Sequence, residues 1–180
     1  MDSRLPDFLV IGPFQAYLMW MSSAFKREQD DDFSTNDIGE RPVSTYRNLV
    51  TRSGMTQIDT EIATLREEFA KAEAAADREK IALVSRDLRY WTARRETAEI
   101  SEPEFGESVV RFGMIVTLED EDGESHVWKI VGEDEADTTH GKISHAAPLS
   151  KALYGKKVGD VVVVNDKEWT LTQLEVPEKG

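Results

Sequence analysis

The sequence predicts an α+β fold: an antiparallel helical hairpin (coiled coil) followed by a small β-sheet domain with one short helix. Three observations carry this. Between Met55 and Ile100 there is neither Gly nor Pro, and apolar residues recur every three or four positions. Beyond residue 108 the apolar period drops to two, and turn residues separate short runs rich in Val. Charge changes at the same places. Residues 1–40, 41–100 and 101–180 carry net charges of −5, +1 and −9, for a chain of −13. The chain thus divides into an extension over 1–40, flexible or loosely packed, a hairpin over 41–103 and a sheet domain over 104–180.

The extension is unusual. Phe8 to Phe25 has no charged residue, which brings it to the threshold length for a membrane span. Gly12, Pro13, Gln15 and the Ser22-Ser23 pair interrupt it, and Asp2 and Asp7 outweigh Arg4 where a signal peptide needs positive charge. Lys26 to Arg41 is rich in Asp and reads as a linker. The extension is therefore expected to be an appendage rather than a membrane anchor. A start of the working protein at Met19 or Met21 is a further reading.

In the middle segment, Thr56 is the expected helix cap, with Asp59 as its acidic partner. Met55, Ile58, Ile62, Leu65 and Phe69 form one stripe. Ile81, Val84, Leu88 and Trp91 form a second. The step of five from Ala76 to Ile81 breaks the rhythm, so two helices folding back near Glu73–Lys80 bury one stripe on the other. The alternative is one continuous helix of about 45 residues, since no Gly marks the turn. Glu73, Asp77 and Glu79 cluster at the expected tip. Such carboxylates can reach a metal held elsewhere or serve as ordinary helix-end charges.

In the last segment, Val109–Phe112 and Met114–Leu118 read as strand. Glu119 to Gly123 supplies a turn ending in Asp-Gly, and His126–Val131 returns. Lys142–Ser144 is a short strand. Pro148, Leu149, Ala152 and Leu153 make a short helix ended by Gly155. Asp160–Val164 and Trp169–Val176 complete four or five strands.

The chain has no Cys, which removes disulfides, thiolate metal sites and Cys nucleophiles. Its acidity argues against coating nucleic acid by neutralising phosphates. No Gly-rich phosphate loop accompanies Asp134–Asp137, and the acidic turn at 119–124 has its Gly misplaced for a calcium loop. His126, His140 and His145 show no metal spacing.

The run Val110-Arg111-Phe112-Gly113, then VTLEDEDGE, KIVGEDEAD, GKIS and APLSKALYGKKVGDVVVV, resembles the C-terminal domain of the bacterial Gre transcript-cleavage factors. Leu49–Gly54 and Leu88–Arg94 are similar to that family's hairpin segments. The resemblance implies an FKBP-like head that docks on RNA polymerase at the rim of its secondary channel, with the hairpin pointing down that channel. Matched positions give the polymerase-binding candidates Asp134, Asp137, Ser144, Pro148, Leu149, Ala152 and Leu153. Core packing is the competing role for Leu149, Ala152 and Leu153.

The family's tip phrase, of the GDLSENAEY kind, helps hold the second catalytic Mg²⁺. It is absent here, and Ala147 stands where Ser commonly precedes the Pro. The hairpin also reads as about 20 residues shorter, which removes about 15 Å of reach at 1.5 Å per residue. This outline is closer to Gre-like regulators that bind polymerase without promoting cleavage, including the regulator of nucleoside diphosphate kinase.

The expected function is therefore regulation of transcription elongation at the secondary channel, without a catalytic site, metal or cofactor of its own. The alternative is an active cleavage factor working through the polymerase Mg²⁺ at Glu73, Asp77 and Glu79. A peptidyl-prolyl isomerase is a third reading from the fold alone; it needs an aromatic-lined pocket for proline, and core packing is the simpler role for Phe112, Trp128 and Trp169 at their strand positions. The expected partner is RNA polymerase, met by a cytoplasmic monomer that binds nucleic acid weakly and no membrane.

Overall fold

The computed structural model describes residues 39–177. The readings of the extension, including the anchor and the alternative starts, lie outside these residues apart from its last two. Among the described residues no helix is long and apolar enough to cross a membrane.

A short strand β1 (Leu49–Val50) leads into α1 (Arg52–Ala74). The chain reverses and returns as α2 (Arg78–Thr97), then leaves through β2 (Glu99–Ile100). β1 and β2 pair in parallel, Leu49 beside Glu99 and Val50 beside Ile100, and close the base of the hairpin. The continuous-helix alternative is thereby excluded. Ile58, Ile62 and Ala72 of α1 are buried, as is Val84 of α2, with Leu88 and Trp91 packed beside them. The two stripes face each other as their spacing requires.

The helix start differs from expectation. Thr51, not Thr56, is the N-cap, and its hydroxyl accepts from Gly54 N at 3.1 Å. Thr56 lies inside the helix and donates to the Arg52 carbonyl at 3.1 Å. Gly54 occupies the first turn of this helix.

The reversal needs no glycine. Ala76 sits in the left-handed region at φ 53°. Asp77 N donates to the Ala72 carbonyl and Ala76 N to the Glu73 carbonyl, each at 3.0 Å. These are the two hydrogen bonds of a Schellman ending, with Ala where Gly is usual. Asp77 then caps α2 through its side chain, which accepts from Lys80 N at 3.0 Å.

The head is a five-stranded sheet built from β3 (Ile115–Asp120), β4 (Ser125–Val131), β5 (Lys142–Ser144), β6 (Val161–Val164) and β7 (Lys167–Glu175). The spatial order is β5-β4-β3-β7-β6. All pairs are antiparallel except β4 with β5. A short helix α3 (Pro148–Leu153) begins with Pro at its first position and packs Leu153 into the core with Val110, Phe112, Val116, Leu118, Ile130, Ile143, Val162 and Leu171. Five strands with one short helix match the expected α+β head of four or five strands.

Val109–Phe112 is not strand. Gly113, at φ 83°, turns the chain just before β3. Val110 pairs by backbone with the turn after α3 instead, accepting from Gly155 N at 3.0 Å and donating to the Lys156 carbonyl at 2.8 Å. Its side chain and that of Phe112 still fill the core, which is why the segment looks like strand in sequence.

Candidate functional site

Two regions carry polar chemistry: the hairpin tip and the junction where the hairpin meets the head. At the tip, Glu73, Asp77 and Glu79 are all exposed. Asp77 is engaged as the cap of α2, and Glu79 lies in the first turn of that helix, where the helix dipole favours a carboxylate. Among the described residues, one group of carboxylate and imidazole atoms lies within 4.8 Å of one another: Asp120, Glu124 and His126, on the β3–β4 turn. The tip does not gather such a donor set, so it does not fit Mg²⁺ on its own.

The junction is built around the phrase Gly132-Glu133-Asp134-Glu135, which forms a tight turn after β4. Arg94, near the end of α2, is only 1% exposed. Its Nε donates to Asp134 Oδ2 at 2.5 Å, and its Nη2 lies 3.7 Å from Glu133 Oε2. Tyr90, one turn earlier, donates its hydroxyl to Asp134 Oδ1 at 2.6 Å. Burial, then this bond to a carboxylate, pushes the Tyr90 phenol up to about 12. The Arg41 guanidinium covers the outer face of Tyr90, 3.8 Å from the ring centre.

Glu135 makes the second attachment. It is 6% exposed. Its Oε1 accepts from Thr51 N at 2.9 Å and Gly132 N at 3.2 Å, while Oε2 accepts from the Thr51 hydroxyl. Two glycines leave room for this. A Cβ on Gly54 would lie 2.1 Å from Glu135 Cδ, and one on Gly132 would lie 2.6 Å from the Leu49 carbonyl oxygen. One turn of the head therefore grips α2 through Asp134 and the start of α1 through Glu135. Asn48 ties the two ends of the hairpin together, donating to the Arg94 carbonyl at 2.7 Å.

The binding candidates fall into distinct settings. Asp134 is half-buried and has both carboxylate oxygens engaged inside the chain, by Tyr90 and Arg94. Leu153 is fully buried and presents no surface. An acidic turn and a helical stripe look alike in sequence whether they face a partner or their own fold. Asp137 caps the turn at 138–140. It accepts from the Thr139 amide at 3.0 Å and hydroxyl at 2.5 Å and pairs with His140 Nδ1 at 2.6 Å, and these bonds hold its carboxyl down at about 2. Ser144 Oγ accepts from Ala146 N at 3.0 Å. Leu149 and Ala152 are half-buried against the core, and Pro148 is exposed. Trp128 and Trp169 pack against that core and Phe112 lies within it, so the aromatic pocket of an isomerase is not formed by them.

Sequence reasoning passed over Thr51, Tyr90, Arg94 and Glu135. One signal was available for Arg94. It continues the buried rhythm of Val84, Leu88 and Trp91 by three residues, and a cation at a core position needs a buried carboxylate.

The C-terminal region, residues 106–176, matches the family model described as transcription elongation factor, GreA/GreB, C-term. The transcription elongation factor GreA of Rickettsia conorii is 43% identical over 133 residues, which cover 68% of this chain and 81% of that protein. The chain belongs to the GreA/GreB family. GreB of Pseudomonas aeruginosa is 34% identical, over 71% of this chain and 79% of that protein. The solved GreA factor homolog 1 of Thermus thermophilus is 23% identical, covering 72% of this chain and 99% of that one with a TM-score of 0.35. Within this GreA/GreB chain the matched region holds the whole Gly132–Glu135 turn, whereas its Tyr90, Arg94 and Thr51 partners lie before it.

Proposed function

We propose that this protein regulates transcription elongation by binding RNA polymerase at its secondary channel, with the hairpin directed along the channel, and does so without stimulating transcript cleavage. Family membership supports the partner. The observation that carries the second half is the tip. It is a bare Ala75-Ala76 reversal, flanked by one carboxylate already capping a helix and two single exposed glutamates. α1 has 23 residues, a stalk of about 34 Å at 1.5 Å per residue. A carboxylate misplaced by about 1 Å loses much of its catalytic effect, and a stalk short by several ångströms loses it all. The protein brings no catalytic group of its own to this role. It occupies a channel and holds a defined shape there.

The experiment adds the protein to stalled, backtracked elongation complexes and follows RNA length and transcription rate. The expected result is an altered rate with no shortened RNA. Shortened RNA that disappears with Asp77→Ala would instead establish an active cleavage factor.

A further inference from the structure

The residues just ahead of β1 cross from the hairpin to the head. Glu40 Oε1 accepts from Arg89 Nε at 2.9 Å and from Arg89 Nη2 at 2.6 Å, and Arg41 Nη1 lies 3.5 Å from Asp87 Oδ1. The Arg41 guanidinium covers Tyr90 at 3.8 Å and reaches the Trp91 ring at 5.8 Å. Asp87, Arg89, Tyr90 and Trp91 all belong to α2. By Tyr46 the chain is on the head. The Tyr46 hydroxyl accepts from Lys151 Nζ of α3 at 2.9 Å, and that ammonium sits 4.1 Å from the centre of the ring. Residues 39–45 form no helix or strand, and among the described residues their backbone makes no hydrogen bond to one. Side chains alone hold the segment at each end.

We infer that residues 40–46 are a strap, a third and releasable tie between hairpin and head that sets how freely the hairpin rocks. Asp134 and Glu135 grip the hairpin at two points, and two points leave rotation about the line that joins them. The strap takes hold of α2 nearer the tip, from Asp87 to Tyr90, and is anchored on α3 rather than on the Gly132–Glu135 turn. A tie placed there opposes the remaining rotation, so Arg41 and Tyr46 are positioning residues for the stalk. The strap also differs from the two grips in kind. Arg94 and Glu135 are buried, and salt screens buried pairs little. Glu40 and Arg89 are 66% and 56% exposed and Tyr46 is 52% exposed. Exposed ion pairs and ring contacts are individually weak, and salt weakens the ion pairs further. Rising salt therefore releases the strap while the buried grips hold. The device belongs to the free chain and does not rest on the polymerase reading.

Spin labels at Ala75 and Lys167 report the spread of distances between tip and head. From about 0.1 M to about 1 M salt the screening length falls from about 10 Å to about 3 Å, and the distance distribution of the full chain is expected to become about two-fold wider. Arg41→Ala with Tyr46→Ala should already be that wide at the lower salt and widen little more. Arg41→Lys with Tyr46→Phe keeps a cation over Tyr90 and a ring beside Lys151, and should restore the narrow distribution at the lower salt. A full chain whose distribution ignores salt overturns the inference. So does a double-alanine variant, folded by circular dichroism, that is as narrow as the full chain or widens with salt by as much. These measurements need no polymerase, so their failure leaves the reading above untouched, and failure of that reading leaves the strap in place.

Discussion

At the residue scale, the decisive side chain is Arg94. A buried guanidinium is tolerated because Asp134 meets it directly, Glu133 stands nearby and Tyr90 completes the acceptor. Removing one member leaves the others desolvated and unpaired, a loss of about 3–5 kcal/mol. Arg94→Ala is therefore expected to lower unfolding free energy by that amount in urea denaturation, and Arg94→Met with Asp134→Leu by clearly less. Gly54→Ala pits two effects against each other. Alanine gains about 1 kcal/mol of helix propensity over glycine. Its Cβ, however, would fall 2.1 Å from the Glu135 carboxyl carbon and displace a buried anion from three donors. Overpacking and lost bonds outweigh propensity, and a net loss of about 2 kcal/mol is expected from the same measurement. His145 supplies a pH dependence. Burial holds its imidazole below the ordinary 6.5, with Glu133 and a backbone hydrogen bond to Arg47 opposing and Arg94 and Lys151 adding to the effect, and its Nε2 has no hydrogen-bond partner among the described residues. The unfolded chain thus binds that proton more readily. Its contribution is intact above pH 6.5 and is lost as pH falls through the lower folded value. Stability at pH 5.5 should be less than at pH 7.5, and His145→Gln should flatten the difference. An unchanged slope in that variant would assign the effect elsewhere.

At the element scale, what was legible depended on whether a signal is local. The two stripes, the break between them, the Asp-Gly hairpin of β3 and β4 and the Pro-started α3 are all written in neighbouring residues. The hairpin between β6 and β7 was legible only in part. Its two central residues, Asn165 and Asp166, both take the left-handed conformation of a type I′ turn at φ 53° and 60°. That dipeptide lacks the Gly that usually announces it, so β7 was expected to start two residues late. The Ala75-Ala76 reversal hid for the same reason. Ala76 is strained where glycine is not, by about 1 kcal/mol. Ala76→Gly is therefore expected to stabilise the protein by up to that amount and raise Tm by a few degrees in calorimetry. The gain would be confined to the tip, since the residue is exposed and touches neither core. The junction was the least legible element, because a sequence shows that 133–135 is acidic but not that its cationic and hydroxyl partners stand 40 to 84 positions away.

At the scale of the whole molecule, the turn at 132–135 fixes the direction in which the hairpin leaves the head. The parallel pair β1 and β2 and the single linker after it would act as a hinge by themselves, since two residues per strand resist bending weakly. Attachment at two points on different helices changes this. Asp134 holds α2, Glu135 holds the start of α1, and rotation about either would break the other. The proposed function, in which one end enters a channel while the other grips its rim, calls for that stiffness, because an angular error at the base is multiplied along about 34 Å of stalk. A paired change that keeps the fold but releases one grip isolates the effect. With spin labels at Ala75 and Lys167, the full chain is expected to give one narrow distance distribution. Arg94→Met with Asp134→Leu should broaden it while leaving the circular dichroism unchanged. The same variant should retain the head's affinity for its partner and lose the effect on elongation rate. Equal loss of both would mean that the head, and not the direction of the stalk, had been disturbed.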